Sequence, residues 1–322
     1  MKNRLLRCIV FTAIPLCIVY IFGFVFLPKN NNHYAGVHDY DLSAFGILAE
    51  REDSLDVLFI GDSEAYCAFI PLRIWELYGI PSYVVSTVDQ QTFETEELLH
   101  MALQQQKPKV VILETNALYR GASRADAIKN SISGALPLLR YHDRWKSLHW
   151  NDWFSKPNYT DADDKKGYNL KSKIEPADTW NYMEPTDEIE ELPSGNVRRL
   201  RSMRDYCWKQ GAELWLVSSP STLNWDCWRH NAVEELAEEL RIPYFDLNMT
   251  DGVLDIDWDR DTMDEGDHMN YYGAVKVSDY IGEILKQTGA FPDKREIPEY
   301  QEWNLLLEPF RNACIGKGLE VQ

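Results

Sequence analysis

Residues 8–27 form an unbroken apolar run of 20 residues, preceded by Lys2, Arg4 and Arg7. A run of that length is what a helix needs to cross the hydrocarbon core of a bilayer. In lipid every backbone polar group must find its partner within the segment, so the run can only be a helix. A cleaved signal peptide is the alternative, but its apolar core is usually shorter, and no small-x-small site stands before Lys29. The basic residues on the amino-terminal side place that end in the cytoplasm and everything beyond Leu27 outside, a single-pass arrangement in the cell membrane.

The rest of the chain is long for one domain and short for two, so one large domain with insertions is expected. It is strongly acidic. The chain has 33 Lys+Arg against 51 Asp+Glu, and setting aside the three basic residues before the run leaves 30 against 51, about −21. Such a surface repels phosphate, which argues against nucleic acid and anionic lipid surfaces as partners. Cys8 and Cys17 lie in the apolar run, and Cys67, Cys207, Cys227 and Cys314 are scattered, so the cysteines do not make a disulfide framework. No CxxC or HxxxH occurs, so neither a zinc site nor any other metal or cofactor is expected.

Short apolar runs alternate with helical patterns. Residues 57–60, 83–86, 110–113, 214–218 and 244–247 read as strands. Residues 71–78, 92–106, 200–210, 231–240 and 271–287 read as helices, several of them stopped by Gly or Pro. Strands separated by helices imply a parallel sheet covered on both faces. The expected organisation is an anchor at 1–27, a juxtamembrane linker at 28–54, an α/β domain at 55–290 and a tail at 291–322. Residues 119–195 break the rhythm and read as an insertion over one end of the sheet. Trp145, Trp150 and Trp153 with Tyr141 offer either a stacking platform for sugar rings or ordinary packing.

Ser63 stands in "GDSEA", at the end of the first strand of the domain, where ligands of parallel sheets bind. Gly, Asp and Ser bend chains for local reasons, so turn chemistry explains the stretch as well as a nucleophile does. A serine needs an imidazole to take its proton, held in the right tautomer from its other nitrogen. His33, His38, His100, His142, His149 and His230 have no accompanying pattern. His268 lies in "DTMDEGDHMNYYGA", behind Asp264, Glu265 and Asp267. An acid three residues before it on a tight turn reaches Nδ1 and leaves Nε2 to face the serine.

"FIGDS", a late acid-x-x-His loop and "DHMNYYGA" resemble the SGNH (GDSL) hydrolase superfamily. The membrane-anchored bacterial branch of DltD and the AlgJ/AlgX-type acetylation proteins fits best, and "AFIPLRIWELYGI" and "ALQQQKPKVVILETNALY" resemble its connecting segments. The resemblance covers residues 58–116 and 214–285. It implies a three-layer α/β/α sandwich, Ser63 as nucleophile, His268 as base, and Asp264 or Glu265 orienting the ring. It also implies an oxyanion donor at Asn116, helped by amides at Ser63 and around Ser86 or Thr87. The sequence departs from the pattern at Glu114, Ala117, Ser86 and Glu265, which weakens the oxyanion donors most.

The implied activity is that of a serine O-acyltransferase or esterase acting on an envelope polysaccharide or teichoic-acid-like polymer, beside an MBOAT-type integral-membrane acyltransferase. An inactive scaffold or polymer-binding protein is the alternative. The Gly-x-Ser-x-Gly elbow of α/β-hydrolases is one residue away from "GDSEA", but that fold needs several strands before its nucleophile. An EF-hand over Asp255, Asp257 and Asp259 fails, because Arg260 and Gly266 occupy its sixth and twelfth positions.

Overall fold

The computed structural model describes residues 2–29, 43–121, 138, 141–159, 161–250 and 252–321, with the backbone alone at 2–10, 12, 142 and 143. His33 and His38 lie outside the described residues, as does the side chain of His142. The first helix, α1, covers Lys2–Phe26. Among the described residues no helix is long and apolar enough to cross a membrane. The run expected to span begins at Cys8, and the side chains of residues 8–10 and 12 lie outside the described residues.

Five parallel strands follow: β1 (Val57–Gly61), β2 (Ser82–Ser86), β3 (Val110–Glu114), β4 (Glu213–Ser218) and β5 (Tyr244–Asp246), in the order β2-β1-β3-β4-β5. Every residue of β1, β2 and β3 is buried, as expected of strands covered on both faces. Alternate residues serve opposite sides. Leu58, Ile60, Val111, Leu113, Leu214 and Leu216 pack with α4 (Thr92–Leu103), α5 (Ser194–Gln210) and α6 (Cys227–Leu240). Val57, Phe59, Val110, Ile112 and Val217 pack with α2 (Ser63–Ala68), α3 (Pro71–Tyr78) and α7 (Tyr271–Gln287). The architecture is a three-layer α/β/α sandwich.

Two segments differ from their sequence reading. Within residues 291–322, read as a tail, α8 (Gln301–Gly316) buries Trp303 completely, its ring 5.4 Å from that of Trp75. Residues 43–54 are not a plain linker, since Ala44 and Ile47 join the core. Part of the segment read as an insertion lies along the sheet edge. Lys166 accepts from the Val84 amide at 2.9 Å, so this segment shields the open edge of β2. The Lys166 ammonium makes a buried ion pair with Glu50 at 2.8 Å, so two remote segments close on one another. The insertion then runs on to the histidine loop, pairing Glu175 with Thr262 and Ala177 with Trp258.

At the far end of the sheet, Asp246 Oδ2 accepts from Trp225 Nε1 at 2.8 Å and stands 2.7 Å from His230 Nδ1. That hydrogen bond raises the pKa of His230 above its ordinary value. The unfolded imidazole titrates near 6.5. The contribution to stability is therefore complete below about pH 6.5 and fades as the pH rises through the higher folded value. The gap in melting temperature between the wild type and His230→Ala is expected to be widest near pH 6 and to narrow toward pH 9. A gap that widens with pH would contradict this.

Candidate active site

At the β1–α2 junction, turn chemistry and the placement of Ser63 are parts of the same device. A Cβ on Gly61 would stand 2.8 Å from Glu114 Cβ, so only glycine lets the two strand ends approach this closely. Asp62, fully buried, caps α2 by accepting from the Glu64 amide at 3.1 Å. Ser63 is thereby fixed as the first helical residue, with its amide among those a helix leaves without an internal partner.

His268 comes from a short hairpin, β6 (Thr262–Met263) against β7 (His268–Met269). The turn between them is left-handed at Asp264, Glu265 and Gly266, with φ of +54°, +60° and +98°. A Cβ on Gly266 would stand 2.2 Å from Thr222 Oγ1, so glycine is required there. Ser221 Oγ donates to the carbonyls of Gly266 and Asp267 at 3.0 and 2.9 Å. Glu175 Oε2 accepts from the Asp264 amide at 3.0 Å.

Asn270 ties this hairpin to α7. Its Oδ1 caps the helix at the Tyr272 amide, 2.9 Å away, while its Nδ2 reaches the carbonyls of Arg260 and Thr262 at 2.6 and 2.9 Å. Asn270→Ala removes a cap and leaves a buried acceptor unpaired, at an expected cost on the order of 3 kcal/mol. Chemical denaturation should show that loss together with reduced activity, and an unchanged midpoint would contradict the role.

Ser63 and His268, 205 positions apart, meet with Oγ 2.8 Å from Nε2. That is within direct proton-transfer reach. Among the described residues, the carboxylates within 4.0 Å of Nδ1 are Asp264 and Asp267, each at 3.4 Å. Glu265, three residues before the histidine, is exposed and not among them. Of the two orienters read from the sequence, Asp264 is brought to the ring and Glu265 is not, because the left-handed turn carries Glu265 outward. Asp267, unassigned by the sequence reading, takes a place equal to that of Asp264.

The expected oxyanion donors are arranged differently. Asn116 is buried at the end of β3, and its Nδ2 donates to Asp62 Oδ2 at 2.9 Å, beside Arg120 Nε at 3.0 Å. One of its two N–H bonds is thus committed to Asp62. The Thr87 amide donates to Gln90 Oε1 at 2.9 Å and is not free to meet an acyl oxygen. Ser86 pairs with Gly61 across the sheet, and its buried Oγ has no hydrogen-bond partner.

Three buried acids surround this junction. Burial raises the carboxyl of Asp62 above the ordinary range. Burial, reinforced by neighbouring acids, raises Glu64 and Glu114 well above it. Sequence reading missed Asp62, Glu64, Asn224 and Asp267 as site residues. The signal available was adjacency alone: two acids flank Ser63 and one precedes His268.

No family model matches the chain, and no curated protein matches it. Among solved structures, it is similar to a lipase/acylhydrolase from Enterococcus faecalis at 10% identity and a TM-score of 0.41, covering 73% of this chain and 96% of that one. It is also similar to the psychrotrophic esterase EstA from Pseudoalteromonas sp., at 11% identity and a TM-score of 0.38, covering 72% and 97%. A GDSL-like lipase from Bacteroides thetaiotaomicron VPI-5482 gives 10% identity and a TM-score of 0.37, covering 78% and 96%. Identities and TM-scores this low carry no argument about what the chain does.

Proposed function

We propose that the chain is a serine esterase or O-acyltransferase of the SGNH kind. The observation that carries the reading is the 2.8 Å between Ser63 Oγ and His268 Nε2, with two carboxylates on the far side of the ring. Nε2 takes the hydroxyl proton as Oγ attacks an acyl carbonyl. The Ser63 amide and the second N–H of Asn116 are the candidates to meet the charge developing on the acyl oxygen. Nε2–H then protonates the leaving alcohol, and an acyl-serine remains. Water resolves it in an esterase, and a second hydroxyl resolves it in a transferase.

The finer reading is transfer, at the outer face of a membrane, to a hydroxyl of an envelope polysaccharide, polyol or teichoic-acid-like polymer. Its support is the apolar run behind Lys2, Arg4 and Arg7, and the resemblance to anchored acetylation proteins. The surroundings of α1 suit an anchor. Arg144, fully buried, donates to the carbonyls of Phe26 and Leu27 at 2.8 and 2.6 Å and so closes the helix end. Trp150 and Phe154 stand exposed beside it, and Trp153 meets Phe22 edge-on at 5.8 Å. Aromatic residues at a helix end are what an interfacial belt requires. An MBOAT-type membrane partner is supported by the resemblance alone.

The test is full-length protein in detergent, given an aryl acetate and a polyol acceptor, with acetylated acceptor and free acetate measured separately. Acetylated acceptor that depends on Ser63 is expected. Free acetate alone would leave an esterase, and equal turnover by Ser63→Ala would remove both readings. One observation favours an inactive scaffold: the Thr87 amide and one N–H of Asn116 are committed elsewhere.

A further inference from the structure

Asn224 lies between two acids of the site. Its Nδ2 donates to Glu64 Oε1 at 2.7 Å and, in a very short contact, to Asp267 Oδ1. One amide thus clamps one oxygen of each carboxylate and leaves the other oxygen of each free. Glu64, 1% exposed, has an Oε2 with no hydrogen-bond partner, and the buried Nδ1 of His268 has none either. Ligand atoms of Glu64, Asp267 and His268 all lie within 4.8 Å of one another. Neither of these two buried atoms has a hydrogen-bond partner, so each is open to a further ligand.

We propose that this space is an inhibitory site for a divalent transition cation of the zinc type, bound by His268 Nδ1, Asp267 Oδ2 and Glu64. Zinc binds nitrogen and oxygen ligands at about 2.0–2.2 Å in a tetrahedron, which puts neighbouring ligands roughly 3.4 Å apart. The Nδ1 of His268 and Oδ2 of Asp267 are 3.4 Å apart, yet they make no aligned hydrogen bond. An imidazole in the set disfavours calcium and magnesium, which take oxygen ligands. Glu64 and Asp267 supply oxygen ligands, and Asn224 holds one oxygen of each in place. The ligands come from segments some two hundred positions apart, so no spacing motif announces them.

The consequence for chemistry follows from the ring and rests on the hydrolase reading. A cation on Nδ1 leaves the neutral imidazole its single proton on Nε2. Nε2 then donates toward Ser63 and cannot take the hydroxyl proton, so acylation stops. Zinc acts here as an off-switch rather than a catalytic ion.

The test is titration of the full-length protein in detergent with zinc chloride, followed by calorimetry. Wild type is expected to bind one ion with an affinity that Glu64→Gln and Asp267→Asn each weaken by about tenfold or more. Asp267 is partly exposed, so its variant carries the test even if the buried substitution impairs folding. Zinc is expected to abolish aryl acetate hydrolysis by the wild type, and EDTA to restore it. No binding to wild type, or the same affinity in both variants, would overturn the site. Calorimetry needs no turnover, so absence of hydrolysis would sink the enzyme reading without touching this result.

Discussion

Ser63→Ala is expected to lower kcat/KM for an aryl acetate by roughly four orders of magnitude or more, since removing the nucleophile of a serine–histidine pair disables the whole unit. The fold should survive. Ser63 is a buried residue in the first turn of α2, where alanine is a good helix former, and its Oγ is paired with His268 Nε2. The cap belongs to Asp62, which the substitution leaves alone. A melting temperature close to wild type with activity gone is the expected pair of results. Retained activity would mean that another residue is acylated.

The second large effect concerns how the ring is held. Asp264 and Asp267 both stand 3.4 Å from Nδ1, and neither is aligned in a hydrogen bond. Catalytic hydrogen bonds of a free site often tighten only with substrate bound. Two equivalent carboxylates share the work of fixing the tautomer, so each can partly replace the other. Asp264→Asn and Asp267→Asn are each expected to cost about tenfold to a hundredfold in kcat. The double variant should lose about 10⁴-fold, as when the orienting acid of a triad is replaced by an amide. Glu265→Gln, at the position three before the histidine, should change little. A large loss in Glu265→Gln alone would show that the loop rearranges on binding substrate.

The strand pattern was legible because β1 to β4 are short apolar runs buried over all or nearly all of their length. Val57, Val110 and Tyr244 begin strands where sequence reading puts them. Tyr271–Gln287 has both expected boundaries, since Asn270 caps one end and Gly289 follows the other. α5 begins at Ser194, well before the expected residue 200, because its first turns carry Arg198, Arg199 and Arg201 rather than an apolar stripe. The hairpin carrying His268 was invisible. Two-residue strands have no periodicity, and their pairing is supported by Asn270 and by the insertion segment at Glu175.

The site was half legible for the same kind of reason. Ser63 and His268 carry local signals, a strand end and a charged tight turn. Which acid faces the ring depends on three consecutive left-handed residues, and spacing along the chain cannot express that. Asn116 is at the expected strand end, but its amide is turned toward Asp62, a buried acid whose partners Arg120 and Asn116 converge only in the folded chain. Of the candidates for sugar stacking or packing, Trp145, Trp150 and Trp153 are exposed and Tyr141 is buried, and the Trp150 ring meets that of Phe154 edge-on at 6.0 Å.

The most direct test of the central claim is labelling of the full-length protein with a fluorophosphonate, followed by peptide mapping. Only a serine whose proton is drawn off by a base reacts at a useful rate. The adduct is expected on Ser63 alone, and lost in His268→Gln. An unlabelled wild type, or an adduct on a different serine, would contradict an activated hydroxyl at the end of β1 and leave the inactive scaffold as the better account.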